Sequence, residues 1–203
     1  MPDFSYEEQY TGTVCGVDEV GRGCLAGPVV ACAVVYDKDR LPPSILEILD
    51  DSKKLTKKKR EALYPILIEN CTYAIGVSSV EEIDSINILQ ASLLAMQKAV
   101  ESLPVSVDTA LIDGTMKPAL QCQMQTIIKG DSISLCIAMA SIIAKVYRDA
   151  LMGELTKEYP YYDWQSNAGY GTRKHKEGLK QHGITSHHRK SFAPIKEYVE
   201  GDT

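Results

Sequence analysis

Gly16-Val17-Asp18-Glu19-Val20-Gly21-Arg22-Gly23 is the stretch on which the reading of this chain turns. Thr13-Val14-Cys15 leads into it, a β-branched run that puts Asp18 and Glu19 at the end of a strand. Neighbouring strand residues face opposite sides, so in a central strand one of the two acids points into the protein. A buried carboxylate is costly unless a cation compensates it. The Gly-Arg-Gly that follows permits positive φ and lets backbone N–H groups come close to a ligand. Acids beside a tight, basic, donor-rich turn point to metal ions and a phosphate together. Taken alone, the pair also fits a solvated strand end, so the rest of the chain has to decide.

Two further segments repeat the pattern. Thr109-Ala110-Leu111-Ile112-Asp113-Gly114 reads as a short buried strand ending in an acid and a glycine, and a strand over 123–128 leads into Lys129-Gly130-Asp131-Ser132. Asp18, Glu19, Asp113 and Asp131 are thus expected at the carboxyl ends of strands, the edge where α/β sheets bind ligands. Carboxylates gathered there repel one another unless divalent cations bridge them. Oxygen donors suit Mg²⁺ or Mn²⁺, and no Cys/His set has zinc spacing. Two such ions about 4 Å apart stabilise the attacking and leaving oxygens of phosphoryl transfer. Each acid–glycine pair could also be only a turn.

Between these segments the chain alternates strands and helices. The apolar run 28–36 reads as a buried strand, and Ser44 as the cap of a short helix over 45–49. A polar loop at 50–54 precedes a helix capped by Thr56. A strand over 71–77 leads to Ser79, which opens a helix carrying apolar residues at helical spacing to Leu103, before Pro104. Residues 133–152 read as a close-packed buried helix, with Lys145 and Arg148 facing out near its end. The order β-β-α-β-α-β-β-α predicts an α/β fold: a mixed sheet flanked by helices, followed by a C-terminal helical appendage. One domain over 1–203 is expected, with a core from about residue 10 to 158 and the appendage from about 159 to 203.

Bulk composition constrains less. The 203 residues are 44% hydrophobic and 24% charged, an ordinary globular balance, and the net charge of −5 at first argues against a nucleic-acid partner. Local charge argues the other way. Lys53-Lys54-Leu55-Thr56-Lys57-Lys58-Lys59-Arg60 is a basic block, and a second basic region from 173 to 190 holds all four histidines. The block is either a solvated helix start or a phosphate-binding edge, where an anion would relieve lysines that oppose the helix dipole. Six cysteines without a C-x-x-C pair read as free thiols in a reducing compartment. The first residues lack the basic start and apolar run of a signal peptide, and no stretch reaches membrane-spanning length. A cytoplasmic protein with no membrane partner is expected, and a monomer.

The chain resembles the bacterial ribonuclease HII family. The likeness is carried by the stretch 16–23, by Asp51-Ser52-Lys53-Lys54-Leu55, Ile112-Asp113-Gly114 and Lys129-Gly130-Asp131, and by Ala140-Ser141-Ile142-Ile143-Ala144-Lys145-Val146 and Gly169-Tyr170-Gly171-Thr172, in family order over nearly the whole length. The resemblance implies a ribonuclease H fold. It also implies metal-dependent cleavage of RNA in RNA–DNA hybrids and incision 5′ of single ribonucleotides in duplex DNA, leaving 3′-hydroxyl and 5′-phosphate ends. By the same likeness Asp18, Glu19, Asp113 and Asp131 correspond to the catalytic metal-binding acids, Gly21, Arg22 and Gly23 to the element that senses the ribose 2′-hydroxyl, and Tyr170 to the junction-sensing tyrosine. Lys53 and Lys54 are expected to contact substrate. Ala168 departs from the lysine many members carry before Gly-Tyr. Arg22 and the short leader favour this branch over the related ribonuclease HIII.

Two rivals stay open at this level. A catalytically silent hybrid-binding protein would keep the basic block and Tyr170 without needing every acid, and a related metal nuclease such as a DNA resolvase would share the acids. His175, His182, His187 and His188 are read as phosphate contacts or surface residues, with a structural role equally open; none is needed as a base.

Overall fold

Apolar side chains on both faces of the run at 29–35 leave β2 (Val29–Val35) no option but burial from both sides. In the computed structural model, which describes residues 2–37, 40, 49 and 55–201, β2 lies inside a five-stranded sheet of order β3-β2-β1-β4-β5. The other strands are β1 (Val14–Val20), β3 (Tyr73–Ser78), β4 (Thr109–Asp113) and β5 (Gln123–Ile127). The first three form antiparallel pairs, β1 with β2 and β2 with β3, whereas β4 joins β1 on its other side in parallel and β5 continues in parallel. The sheet is therefore mixed, and its direction of growth reverses at β1.

Helices cover both faces. One face packs Val30, Cys32 and Val34 of β2 against α1 (Lys57–Asn70) and α3 (Leu135–Glu158). The other packs Cys15, Val17, Ala31 and Ala33 against Ala91, Ala95 and Ala99 of α2 (Val80–Glu101). Local signals account for where these helices start. Thr56 accepts from the Lys59 N–H at 3.3 Å, and Ser79 and Glu82 form a reciprocal capping box. Two details differ from expectation. The α2 backbone kinks at Asn87 (φ 69°), whose side chain accepts from the N–H groups of Leu89 and Gln90, and the helix stops at Glu101, ahead of Pro104. The short helix expected at 45–49 and the loop at 50–54 lie outside the described residues, apart from Leu49, which is buried in the first core.

After α3 the chain forms α4 (Trp164–Asn167), α5 (Arg173–His182) and α6 (Ile195–Glu200). Tyr162, Trp164, Leu179 and Ile195 pack here on Leu25, Ala26 and Met152, which belong to the β1–β2 connection and to α3. The appendage thus closes its core on the residues that follow the Gly-Arg-Gly turn. Arg148 departs from its expected outward position and is fully buried. It occupies the stripe of α3 that also carries Ala140, Ala144 and Met152, each four residues apart and each buried, and the appendage covers that stripe.

Candidate active site

The parallel register Val17↔Ile112 places the next residues of β1 and β4, Asp18 and Asp113, at one sheet edge. Gly16, two residues before Asp18, faces α3 so closely that a Cβ would collide with the Cys136 and Ile137 backbone. Asp18 points the same way, and the Ser141 hydroxyl of α3 hydrogen-bonds its carboxylate. The Glu19 N–H donates to Asp18 Oδ1 at 2.8 Å, and Arg22 Nη1 reaches Glu19 Oε1 at 3.2 Å. Asp18, Glu19 and Asp113 open into one cavity of about 300 Å³, whose walls include the 20–23 turn, Arg60, Ser141, Lys145 and Tyr170. A larger hollow of about 570 Å³ between α1 and α3 shares Arg60 with it and is lined by charges of both signs, among them Lys57, Glu61, Asp149 and Lys157. The acids make the smaller cavity the candidate site.

Electrostatics single out the same place. Burial, then the charges of Glu19 and Asp113, push the Asp18 carboxyl well above its ordinary range. Burial likewise raises Glu19, against the Arg22 guanidinium, with Asp113 adding to the rise. Among the described residues, no group of three His, Cys, Asp or Glu side chains is gathered around one point as a ready metal cage. The fit to a divalent cation rests on donor chemistry. Three oxygen-donor carboxylates share a cavity, burial and neighbouring carboxylates disfavour the ionised forms of Asp18 and Glu19, and a hard cation is the partner that relieves both.

Asp131 is placed differently from expectation. Strand β5 ends at Ile127, and Asp131 sits in a 3₁₀ turn (Gly130–Ser132) entered through Lys129 in the left-handed region, buried and outside the cavity wall. It stands next to the cluster through Gly130, whose N–H donates to Asp113 Oδ1 at 2.6 Å. Lys53 and Lys54 lie outside the described residues. From the same basic block, Arg60 lines the cavity.

The turn and the tyrosine meet. A Cβ on Gly23 would sit 3.6 Å from Tyr170 Cε1, so the half-exposed Tyr170 ring lies against the turn. Two residues that sequence reasoning missed brace these elements, Arg189 on the turn's side and Arg148 on both. Arg189, fully buried, donates to the carbonyls of Gly21 (2.6 Å), Arg22 (2.8 Å) and Gly27 (2.8 and 3.0 Å). Arg148 donates to Pro28 O (2.8 Å), Ala26 O (3.0 Å) and Ala168 O (2.7 Å). Gly21, at φ 98°, must be glycine because a Cβ would collide with Arg148 Nε. The helical stripe 140–144–148–152 was the available signal for Arg148; the irregular segment around Arg189 carried none.

Of the two roles open for the histidines, His175 and His188 take the structural one. His175 and His188 are fully buried rather than on the surface. The Thr185 N–H donates to His188 Nδ1 (2.9 Å), so His188 carries its proton on Nε2 and donates to His175 Nε2 (3.1 Å), which also accepts from Trp164 Nε1 (3.1 Å). His175 is therefore protonated on Nδ1 and donates to Tyr170 O at 2.9 Å. Burial lowers both histidines, His188 to about 3 with the help of His175 and His187, so both are neutral. The exposed His182 ring stacks on Tyr161, and His187 packs edge-on to Tyr159.

The carboxylates thus end the central parallel pair of a mixed five-stranded sheet, with a glycine–arginine turn at the same mouth. The family model for ribonuclease HII matches residues 15–195. Ribonuclease HII of Paramagnetospirillum magneticum is 52% identical over 98% of this chain and 99% of the relative. The crystal structure of ribonuclease H2 from Pyrococcus horikoshii superposes with a TM-score of 0.77 at 26% identity, over 94% of this chain and 98% of that one. Bst-RNase HIII, solved in complex with Mn²⁺, shares the fold at 18% identity (TM-score 0.73, over 93% and 69% of the two chains). The chain belongs to the ribonuclease HII family. It is a ribonuclease H, an enzyme that acts on RNA–DNA hybrids, in a family dependent on divalent metal ions.

Proposed function

We propose that the protein cleaves the RNA strand of RNA–DNA hybrids and also incises duplex DNA on the 5′ side of a single embedded ribonucleotide, leaving 3′-hydroxyl and 5′-phosphate ends. The observation that carries this is the meeting, in one cavity, of three carboxylates, the Gly21–Gly23 turn and Tyr170. Asp18, Glu19, Asp113 and Asp131 would hold Mg²⁺ or Mn²⁺ in a two-metal site, Asp131 from the turn whose Gly130 N–H bonds Asp113. When bound, the ions supply charge neutralisation at the phosphate and activation of the attacking water.

The chain's own residues do the rest. Lys145, held by Asp149 at 2.8 Å, and Arg60 present positive charge to the phosphodiester at the cavity wall. Arg22 pairs with Glu19 at 3.2 Å, and the backbone of the Gly21–Gly23 turn on the cavity wall is read as the partner of a ribose 2′-hydroxyl, the group that distinguishes RNA from DNA. The Tyr170 ring packs on the following sugar and favours deoxyribose there, because an added hydroxyl would crowd it. Lys53 and Lys54 add sequence-independent phosphate contacts. No histidine serves as a base: none of the four lines the cavity, and His175 and His188 are buried in hydrogen bonds to other groups. We read residues 1–203 as one domain whose appendage belongs to the active site, working as a monomer in the cytoplasm; no helix among the described residues is long and apolar enough to cross a membrane.

Cleavage of three 5′-labelled duplexes tests the proposal: an RNA–DNA hybrid, DNA with one ribonucleotide, and all-DNA. Metal-dependent cutting of the first two, with the second cut mapped 5′ of the ribonucleotide, is expected. Cutting of all-DNA would favour a resolvase, and metal-independent binding without cutting a silent hybrid-binding protein.

A further inference from the structure

Two buried guanidiniums lie beneath the sensing elements, and neither forms an ion pair among the described residues. A buried cation is expensive, and here each spends its donors on backbone carbonyls. Arg189 holds one continuous segment, the turn and the connection that follows it, through Gly21, Arg22 and Gly27. Arg148 does something different, because its acceptors come from two separated segments. Ala26 O and Pro28 O belong to the connection that follows the turn, and Ala168 O lies two residues before Tyr170. Its Nε lies where a Gly21 Cβ would be.

The two segments also touch directly. The Leu25 N–H donates to Gly169 O at 2.8 Å, and a Cβ on Gly169 (φ 87°) would sit 2.5 Å from Ala26 O. Arg148 is the planar fork that spans both sides of this contact. It cannot touch substrate, being fully buried and absent from the cavity wall.

We infer that Arg148 is a positioning residue that couples the ribose-sensing turn to the Tyr170 loop and so sets the preference for a ribonucleotide–deoxyribonucleotide junction over a continuous hybrid. A hybrid needs only the turn, whereas a junction needs turn and tyrosine in register one nucleotide apart. Loosening the tie between them costs the junction substrate more. This rests on the reading of Tyr170 as the junction sensor.

The test compares kcat and KM on a duplex with one embedded ribonucleotide and on a hybrid. Wild type, Arg148→Lys, Tyr170→Ala and the double variant are measured, with melting temperatures alongside. Lysine keeps the charge but cannot reach three carbonyls at once. Arg148→Lys is expected to lower junction kcat relative to hybrid kcat by about tenfold or more, the scale of sub-ångström misplacement, with KM little changed. In the double variant the ratio should fall no further than in Tyr170→Ala, because Arg148 acts through the tyrosine. Equal losses on both substrates that track melting temperature, or additive effects, would overturn the inference. Should Arg148→Lys not fold, Arg148→Gln, which removes the buried charge, is judged by the same ratio. If neither folds, the residue is structural and the inference falls. If Tyr170→Ala itself leaves the ratio unchanged, the reading of Tyr170 has failed. If Tyr170→Ala shifts the ratio and a folded Arg148 variant does not, only the coupling has failed.

Discussion

The carboxylate edge and the appendage core solve opposite electrostatic problems. At the edge, Asp18, Glu19 and Asp113 crowd like charges into one cavity, and Arg22 offsets only part of the repulsion. In the appendage and the α3 stripe it covers, Arg148, Arg189, His175 and His188 are just as buried, yet their donors and acceptors are matched in a directional set of hydrogen bonds. The first arrangement asks for something from outside the chain; the second is complete. A crowded, incompletely compensated site marks chemistry, and a satisfied one marks architecture that holds the chemistry in place.

The sharpest way to break this contrast is at the edge. Asp18→Asn is expected to lower kcat on a hybrid by roughly a thousandfold or more, because a ligand of the phosphoryl-transfer site is lost. Folding and hybrid binding should persist, and without metal the variant should melt higher than wild type, since a crowded charge is gone. Wild-type turnover at saturating Mg²⁺ would remove the edge from the mechanism.

The matched region should respond in stability first. Arg189→Ala leaves three carbonyls without their donor at roughly 1–3 kcal/mol each, partly relieved by water, so urea unfolding should show a loss of about 3–5 kcal/mol. A loss below about 1 kcal/mol, the range of a surface change, would show that the clamp is incidental.

Acid sharpens the contrast further. The folded-state pKa values of His175 and His188 are depressed, so between pH 6.5 and the folded value of about 3 for His188 the unfolded chain binds protons that the folded chain refuses. Stability contributed by the pair is therefore present above pH 6.5 and lost as pH falls, at up to about 1.4 kcal/mol per pH unit for each histidine. Denaturant unfolding at pH 7, 6 and 5 should show this slope in wild type and a flatter one in His188→Gln. Identical slopes would mean that the pair is not held neutral.

How much of this was legible in the sequence follows from the range of each signal. The strand ends carrying Asp18, Glu19 and Asp113 were readable because a β-branched run, an acid and a glycine are local. So were the caps at Thr56 and Ser79. For Asp131 the sequence predicts another strand end, whereas the left-handed Lys129 carries it into a buried 3₁₀ turn, and no local rule distinguishes the two. Arg148 was misplaced because an arginine near a helix end is ordinarily solvated; its four-residue spacing from Ala144 and Met152 outweighed that habit once the appendage covered the stripe. Arg189 finds its carbonyl partners 162 to 168 residues away, beyond any window of sequence, and the bonds of His175 to Trp164 and His188, 11 and 13 residues away, follow no helical or strand period.

The most direct test of the edge as a cation site is thermal unfolding in rising Mn²⁺, which reads binding rather than turnover. Wild type should gain stability with concentration, by about 2.7 kcal/mol at a hundred times Kd. Asp18→Asn should begin higher and gain much less. Equal gains in the two proteins, or none in wild type, would contradict the assignment of Asp18, Glu19 and Asp113 to a metal site.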